Sequence, residues 1–506
     1  MISMFRVCRS LFVCAVSAVS VLTAAAALAP AQASVVTAQN SGDACLPNTM
    51  PSTDALFSSQ QHVFAHYLPT FPLSIDNKAS ASDYYNVNYL NPAGEHGKFE
   101  AQGGFLRQRP SGVPVESGSK WQQLNMQREV SMAIARGIEG FTFNIMDVTQ
   151  ATDPAGPLQT MLAAASAVDS RFKIMVTPDM TVFKSDPTSV VKIYEAVASK
   201  AAAYHTSDGR LIIGAYDAGL SSAAWWKSIF SQLAAKNIHV AFIPTFLGWL
   251  TSAPSFAPIS SGLGDWGTAT PFKEASMITE PARSLSEYGK FFMMPVDPQQ
   301  FRPKNYMYYE AVNSAAYRSG WNSAIAGHGS WVQLVTWNDF SESSEIQPYS
   351  DTTVRHDIGT GFYDLTGYYA AWFSSRVQPK ITHDVLYYFY RREPSGSAGP
   401  KQSEGVQATG GGAEDQIELL GFLTAPGVLK ITVGSQTYTK DAPAGITSFT
   451  IPTQPGTPLF TLSRDNADVF SFQGGVQIYS HSGLPSGVID MTYWSGSASK
   501  TGVCAL

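Results

Sequence analysis

Charge is what this chain has least of. Asp, Glu, Lys and Arg together make up 14% of the 506 residues, and the net charge is −6. A binder of DNA or RNA needs a basic face to displace counterions from phosphates, so there is no electrostatic case for nucleic-acid binding. Long apolar runs are equally scarce. One extends from Leu11 to Leu28, and nothing after Ala33 is long enough to span a bilayer. There is no Gly-rich phosphate loop at a strand–helix junction and no Gly-x-Ser-x-Gly elbow between strand and helix. Neither His-x-x-x-His nor paired-Cys motifs occur, so no metal and no cofactor is expected.

Cysteine is also rare, with 4 in the whole chain. Arg6 and Arg9, the apolar run and Ala31-Gln32-Ala33 form the pattern of a secretory signal peptide over residues 1–33, a membrane anchor being the alternative. Its removal takes Cys8 and Cys14 with it and leaves Cys45 and Cys504. In a secreted or periplasmic compartment that pair predicts a disulfide closing almost the entire chain; two free thiols on the chain ends are the alternative.

What the chain does contain is alternation. Residues 34–58 read as an arm or linker rich in Ser, Thr, Asn and Gly. Strand-like runs follow at His62–Leu68, Gly140–Asp147, Lys173–Met180, Arg210–Asp217, His239–Phe246, Gly262–Gly267, Phe291–Asp297 and Trp331–Phe340. Between them lie helical patterns, among them Trp121–Arg136, Leu158–Val168, Ser189–Ala203, Ala223–Lys236, Phe272–Tyr288 and Asn305–Ser319. Eight strands alternating with helices predict an α/β fold, a (β/α)8 TIM barrel over 59–380, with a doubly wound open sheet as the competing arrangement. After a Gly- and Ser-rich stretch at 394–412 the pattern changes to short alternating runs without helical period, which predicts a C-terminal β-sandwich over 381–506. The sandwich is read either as a sugar-binding unit or as a brace for the barrel.

A barrel of this kind carries its active site at the C-terminal ends of its strands. Those ends are polar: His66, Tyr67, Asn144, Asp147, Asp179, Asp217, Thr245, Asp265, Trp266, Asp297, Trp337, Asn338, Asp339 and, just beyond, Glu342. Any one of them has a bland reading as a helix cap or turn former. So many strand ends bringing carboxylates to one rim form a stronger pattern. Hydrolysis of a glycosidic bond needs two carboxyl groups, aromatic platforms and polar partners for hydroxyls. Residues 335–343, Val-Thr-Trp-Asn-Asp-Phe-Ser-Glu-Ser, supply all of them. The alternative for Asp339 and Glu342 is a capping box, whose spacing they also match.

The run from Thr336 to Ser343 resembles the signature of glycoside hydrolase family 71, the α-1,3-glucanases or mutanases. Val63-Phe64-Ala65-His66-Tyr67 is similar to the family's first strand, and Gly137–Asn144 to its approach to the second; the resemblance spans roughly 60 to 390. It implies a secreted enzyme that hydrolyses α-1,3-glucosidic bonds of a polysaccharide with inversion, Asp339 and Glu342 being the catalytic pair and Asp147 a third acidic residue. Inversion places the two carboxyls about 6.5–9.5 Å apart. The expected assignment is Glu342 as acid and Asp339 as base. The expected substrate-binding residues are His66, Tyr67, Asn144, Asp179, Asp265, Trp266, Trp337 and Asn338. Two places depart from the family: Ser344-Glu345-Ile346, and the strand-seven end Val296–Gln300. These bear on which glucan is cut. Another α-linked polymer, or a binding protein that has kept the barrel, are the other readings. The long segment 70–119 after the first strand is read as a wall for sugar subsites or as a surface excursion.

Overall fold

The computed structural model describes residues 38–40, 45–270, 285, 289–350, 359–397, 406–409, 411–480 and 489–505. The segment read as a signal peptide and nearly all of the helix expected at 272–288 lie outside these residues.

Eight parallel strands form the first layer: β1 His62–Tyr67, β2 Gly140–Ile145, β3 Lys173–Pro178, β4 Leu211–Ala215, β5 Val240–Phe246, β6 Gly262–Asp265, β7 Phe291–Val296 and β8 Trp331–Leu334. Their order is β3-β2-β1-β8-β7-β6-β5-β4. The two ends of that order meet, so the sheet is a nearly closed barrel and not an open doubly wound sheet. Tyr216 N donates to Pro178 O at 3.0 Å and Met180 N to Tyr216 O at 3.1 Å. Further down, residues 202–204 fill the gap: Ile174 N bonds Ala202 O and Ile212 N bonds Tyr204 O, both at 2.8 Å. This use of 202–204 is why the expected helix 189–203 stops early, as Pro187–Glu195. Gly214 permits the closest approach of β4 to β3, since a Cβ there would lie 2.7 Å from Thr177 Oγ1.

Strand side chains alternate between two environments. Phe64, Met175, Ile212, Ala241, Ile243, Met293 and Trp331 fill the lower barrel interior. Their neighbours Val63, Ala65, Tyr67, Phe141, Phe143, Ile145 and Val176 face the helices. The helices Trp121–Ile134, Pro157–Val168 and Ala223–Ala234 lie close to their expected positions. The stretch expected to be helical at 305–319 is not. A hairpin, Gln300–Arg302 paired with Met307–Tyr309, precedes a later helix, Ala315–Ser323. Left-handed backbone at Tyr306, Val312 and Asn313 is incompatible with a continuous helix there.

Past the helix Gly361–Ser375, the strand Val385–Arg391 enters a six-stranded sheet that faces a four-stranded antiparallel one. Every residue of Val385–Arg391 is buried. Leu386, Tyr388 and Tyr390 join the core between the two sheets, while Val385, Tyr387 and Phe389 pack toward the barrel's last helix. The expected sandwich is therefore present, and one of its sheets is covered on both faces. Two of its strands are too polar or too near the end to be legible, Gln436–Ala442 and Gly502–Ala505. The arm returns at Ala38–Asn40 as a strand parallel to Gly502–Ala505. Cys45 and Cys504 are bridged, with Cα atoms 5.6 Å apart.

Candidate active site

The barrel interior changes from apolar to polar toward the strand ends. Following the inward parity of Phe64, Met175 and Ile212 upward gives His66, Thr177, Asp179, Gly214 and Tyr216. A cavity of about 300 Å³ opens above them. His66, Asn144, Asp179, Tyr216 and Trp266 form its floor and sides, and Asp339, Ser341 and Glu342 enter from the loop after β8. Leu68, Thr70, Phe71 and Phe105 close one side, so the long segment after β1 is a wall of the cavity. That wall is a built structure. Phe71, Tyr89, Phe99 and Phe105 pack edge and face with ring centroids 4.5–6.1 Å apart, and buried Arg109 pairs with Asp83 at 2.7 Å.

The loop after β8 explains why Asp339 and Glu342 converge. The expected strand to Phe340 ends six residues early, at Leu334, because the chain turns back on itself. Thr336 N donates to Ser344 O at 2.8 Å and Ile346 N to Thr336 O at 3.0 Å. Within the turn, Ser344 N and Glu342 N both donate to Asp339 O. Residues 340–350 contain no helix, so a capping box at Asp339 and Glu342 has nothing to cap.

The two carboxyls sit in different surroundings. Asp339 is 7% exposed. Burial and then the Glu342 charge push its carboxyl up to about 7, against the Ser341 amide and hydroxyl, which donate to Oδ1 at 3.0 and 2.7 Å, and the more distant Arg302. Glu342 is a quarter exposed and paired with Arg302 at 3.0 Å; Gln300 Nε2 donates to the same oxygen. Both partners come from the hairpin after β7, which also takes the Glu342 carbonyl through Phe301 N at 2.7 Å. Asp339 is thus a buried carboxyl whose proton is held near neutrality, and Glu342 a more exposed one fixed by a guanidinium and an amide.

His66 donates or accepts at Thr142 Oγ1 over 3.0 Å and meets Trp266 edge-on at 4.7 Å. Burial lowers it to about 3, with the Asn144 amide opposing, so it is a neutral hydrogen-bonding group. Asp179 is in the cavity wall while its Oδ1 caps the next turn through Thr181 N and Oγ1.

Five of the expected catalytic and substrate-binding residues do not line the cavity. Parity turns Tyr67 away from His66: it stacks on Phe143, and its hydroxyl donates to Glu129 at 3.0 Å. Asp147 is exposed and caps its own turn through Thr149 N and Oγ1 at 2.7 and 2.6 Å, which hold its carboxyl below the usual range. Asp265 alternates with Trp266; it accepts from Gly248 N, Trp249 N and Gly267 N at 2.8–3.0 Å and so fixes the loop that carries the tryptophan. Trp337 is fully buried against Phe141 and Tyr363. Asn338 is a clamp, accepting from Leu68 N and donating to the Leu68 and Phe71 carbonyls at 2.8–2.9 Å. Asp217, Thr245 and Asp297 likewise stand outside the lining. Glu345 is buried beneath the loop, where burial and the nearby Asp339 and Asp490 raise its carboxyl well above the usual range.

Sequence reasoning missed Tyr216, Gln300, Arg302 and Glu129. Tyr216 follows from parity once β4 is placed. Glu129 has a weaker signal: it occupies the buried face of its helix with Met126, Val130 and Ala133. Burial raises it to about 8, and it accepts from Tyr67, from Trp337 Nε1 at 3.4 Å and from Gln347 Nε2 at 3.3 Å, below the loop after β8. Among the described residues the grouping with potential metal donors is Cys45, Asp364 and Cys504. It is the disulfide with a carboxylate committed to Arg136 at 2.8 Å.

The model of glycosyl hydrolase family 71 matches residues 114–505. The chain belongs to that family. The match includes β2, the β8 loop and the sandwich strands from Val385 onward, and leaves the first-strand segment around His66 outside it. Among its relatives, the glucan endo-1,3-alpha-glucosidase agn1 of Schizosaccharomyces pombe is 24% identical over 371 residues, 69% of this chain and 86% of that protein. A mutanase of Penicillium rubens is 23% identical over 381 residues, 71% and 82% of the two chains. Among solved structures, the GH99 endo-alpha-mannosidase of Bacteroides thetaiotaomicron aligns with 62% of this chain and 98% of its own, at 16% identity and a TM-score of 0.47.

Proposed function

We propose that this glycoside hydrolase cleaves α-1,3-glucosidic bonds of a glucan by inversion, with Asp339 as general acid and Glu342 as general base. The observation that carries the reading is the contrast between the two carboxyls on one loop above one cavity. Asp339, buried and near neutrality, gives its proton to the glycosidic oxygen as the bond to the anomeric carbon breaks. Glu342, held by Arg302 and Gln300, takes a proton from the water that attacks the opposite face of the sugar. Trp266 and Tyr216 line the place of the reacting sugar, with Phe71 and Phe105 on the neighbouring wall. The substrate bond is supported by the names of the relatives, a glucan endo-1,3-alpha-glucosidase and a mutanase.

The compartment proposed is extracellular or periplasmic. The Cys45–Cys504 bridge favours an oxidising environment, and residues 1–33 read as an export signal. No helix among the described residues is long and apolar enough to cross a membrane. The test is reducing-end release from insoluble α-1,3-glucan by the purified chain beside Asp339→Asn and Glu342→Gln. Release by the parent and its loss in both variants supports the reading. Activity confined to another α-linked polysaccharide overturns the substrate, and binding without cleavage of any polymer overturns the enzyme.

A further inference from the structure

Resting on the reading of Glu342 as the general base, we infer that the C-terminal sandwich is part of the catalytic apparatus, fixing that base through a chain of buried contacts centred on Arg391 and Tyr493. The first link is the hairpin Gln300–Arg302/Met307–Tyr309, whose Gln300 and Arg302 hold the Glu342 carboxylate and whose Phe301 N holds its carbonyl. A two-stranded ribbon of this length is marginal in water and needs an external support.

The support comes from the sandwich at both ends of the hairpin. On the entering side, the Gln299 amide bonds the Tyr493 backbone twice: Tyr493 N donates to Oε1 at 2.7 Å, and Nε2 donates to Tyr493 O at 3.4 Å. On the leaving side is Glu310. Its Oε1 accepts from the Tyr493 hydroxyl at 2.6 Å and from Val312 N at 2.8 Å; its Oε2 pairs with Arg391 at 2.8 Å and accepts from Glu414 N at 3.1 Å. The Arg391 guanidinium lies over Tyr493 at 4.2 Å and over Tyr308 of the hairpin at 5.0 Å. Glu310, Arg391 and Tyr493 are each no more than 3% exposed. Arg391 and Tyr493 are opposite one another on neighbouring strands of the six-stranded sheet, so they share its rigidity.

A surface brace would be satisfied by scattered apolar contact. Here a buried ion pair, whose desolvation is costly unless every hydrogen-bonding position is filled, is spent at the foot of the element that carries the partners of Glu342. Arg391, Glu310 and Tyr493 do not line the cavity and are positioning residues. A displacement of Glu342 by a fraction of an ångström to 1 Å corresponds to roughly ten- to a hundredfold in turnover.

The experiment uses the full chain with Tyr493→Phe and Glu310→Gln, each with Arg302→Lys singly and in combination. Rates on α-1,3-glucan and on a soluble α-1,3-linked oligosaccharide are normalised to folded protein by the thermal transition. We expect Tyr493→Phe to lower kcat by about tenfold on both substrates with KM within twofold. The losses of Tyr493→Phe and Arg302→Lys should not multiply, because both act through Glu342. If Glu310→Gln does not fold, Tyr493→Phe alone decides the matter. A lower melting temperature with unchanged kcat makes the sandwich a brace and overturns the inference. A raised KM on the polymer alone makes it a sugar-binding unit and overturns it equally. The hydrolytic reading fails separately, if the parent releases no reducing ends. In that case a crystal structure of Tyr493→Phe decides the inference: an Arg302–Glu342 contact still at 3.0 Å overturns it, and a displaced one supports it.

Discussion

Replacing Asp339 by Asn isolates the energetic cost of keeping an acid in this site. Burial raises the carboxyl from its ordinary 3.8 to about 7, and each tenfold in proton affinity is about 1.4 kcal/mol. The folded chain therefore holds this proton more tightly than the unfolded chain does. Below about pH 4 both states carry the proton and nothing is lost. Between about pH 4 and 7 the unfolded chain releases it first, so stability falls as pH rises, by roughly 4 kcal/mol at most, and levels off above pH 7. Asn preserves an acceptor for the Ser341 donors at 3.0 and 2.7 Å but has no proton to lose. The stability of Asp339→Asn relative to the parent should then rise with pH across that window, by roughly 2–4 kcal/mol once coupling to Glu342 is allowed for. Denaturant unfolding of both proteins at half-unit intervals from pH 4 to 8 measures the difference, in which titrations not coupled to Asp339 cancel. In parallel, kcat/KM of the parent should decline above about pH 7 as the acid loses its proton. A stability difference that is flat from pH 4 to 8 refutes the reasoning, whatever the activity shows.

Asp147→Asn should leave kcat and KM within about twofold of the parent, since the side chain is exposed and serves only the turn at Thr149; a loss above tenfold in steady-state assays on the glucan contradicts the placement. Trp266→Ala removes the ring that meets His66 and Tyr216 at 4.7 Å. It should raise KM on oligosaccharides about tenfold, or about 1.4 kcal/mol of binding, with a smaller fall in kcat; an unchanged KM removes the tryptophan from the sugar site.

The sequence by itself determined the barrel, the sandwich and the loop that brings Asp339 and Glu342 to the cavity, because each rests on a local signal. Strand and helix differ in period, and the run from Thr336 to Ser343 is continuous in the chain. It also placed Asp339, Glu342, His66, Asn144, Asp179 and Trp266 on one rim, because strand ends are countable. The tertiary structure decided which neighbour of each pair faces inward. A one-residue change of parity separates His66 from Tyr67 and Trp266 from Asp265, and a list of strand ends does not resolve it. The structure alone also decided what surrounds each carboxyl. Arg302 lies 40 residues before Glu342 and Arg391 lies 81 after Glu310; the charge each carboxyl carries depends on burial and on partners that only the folded chain brings within hydrogen-bonding distance.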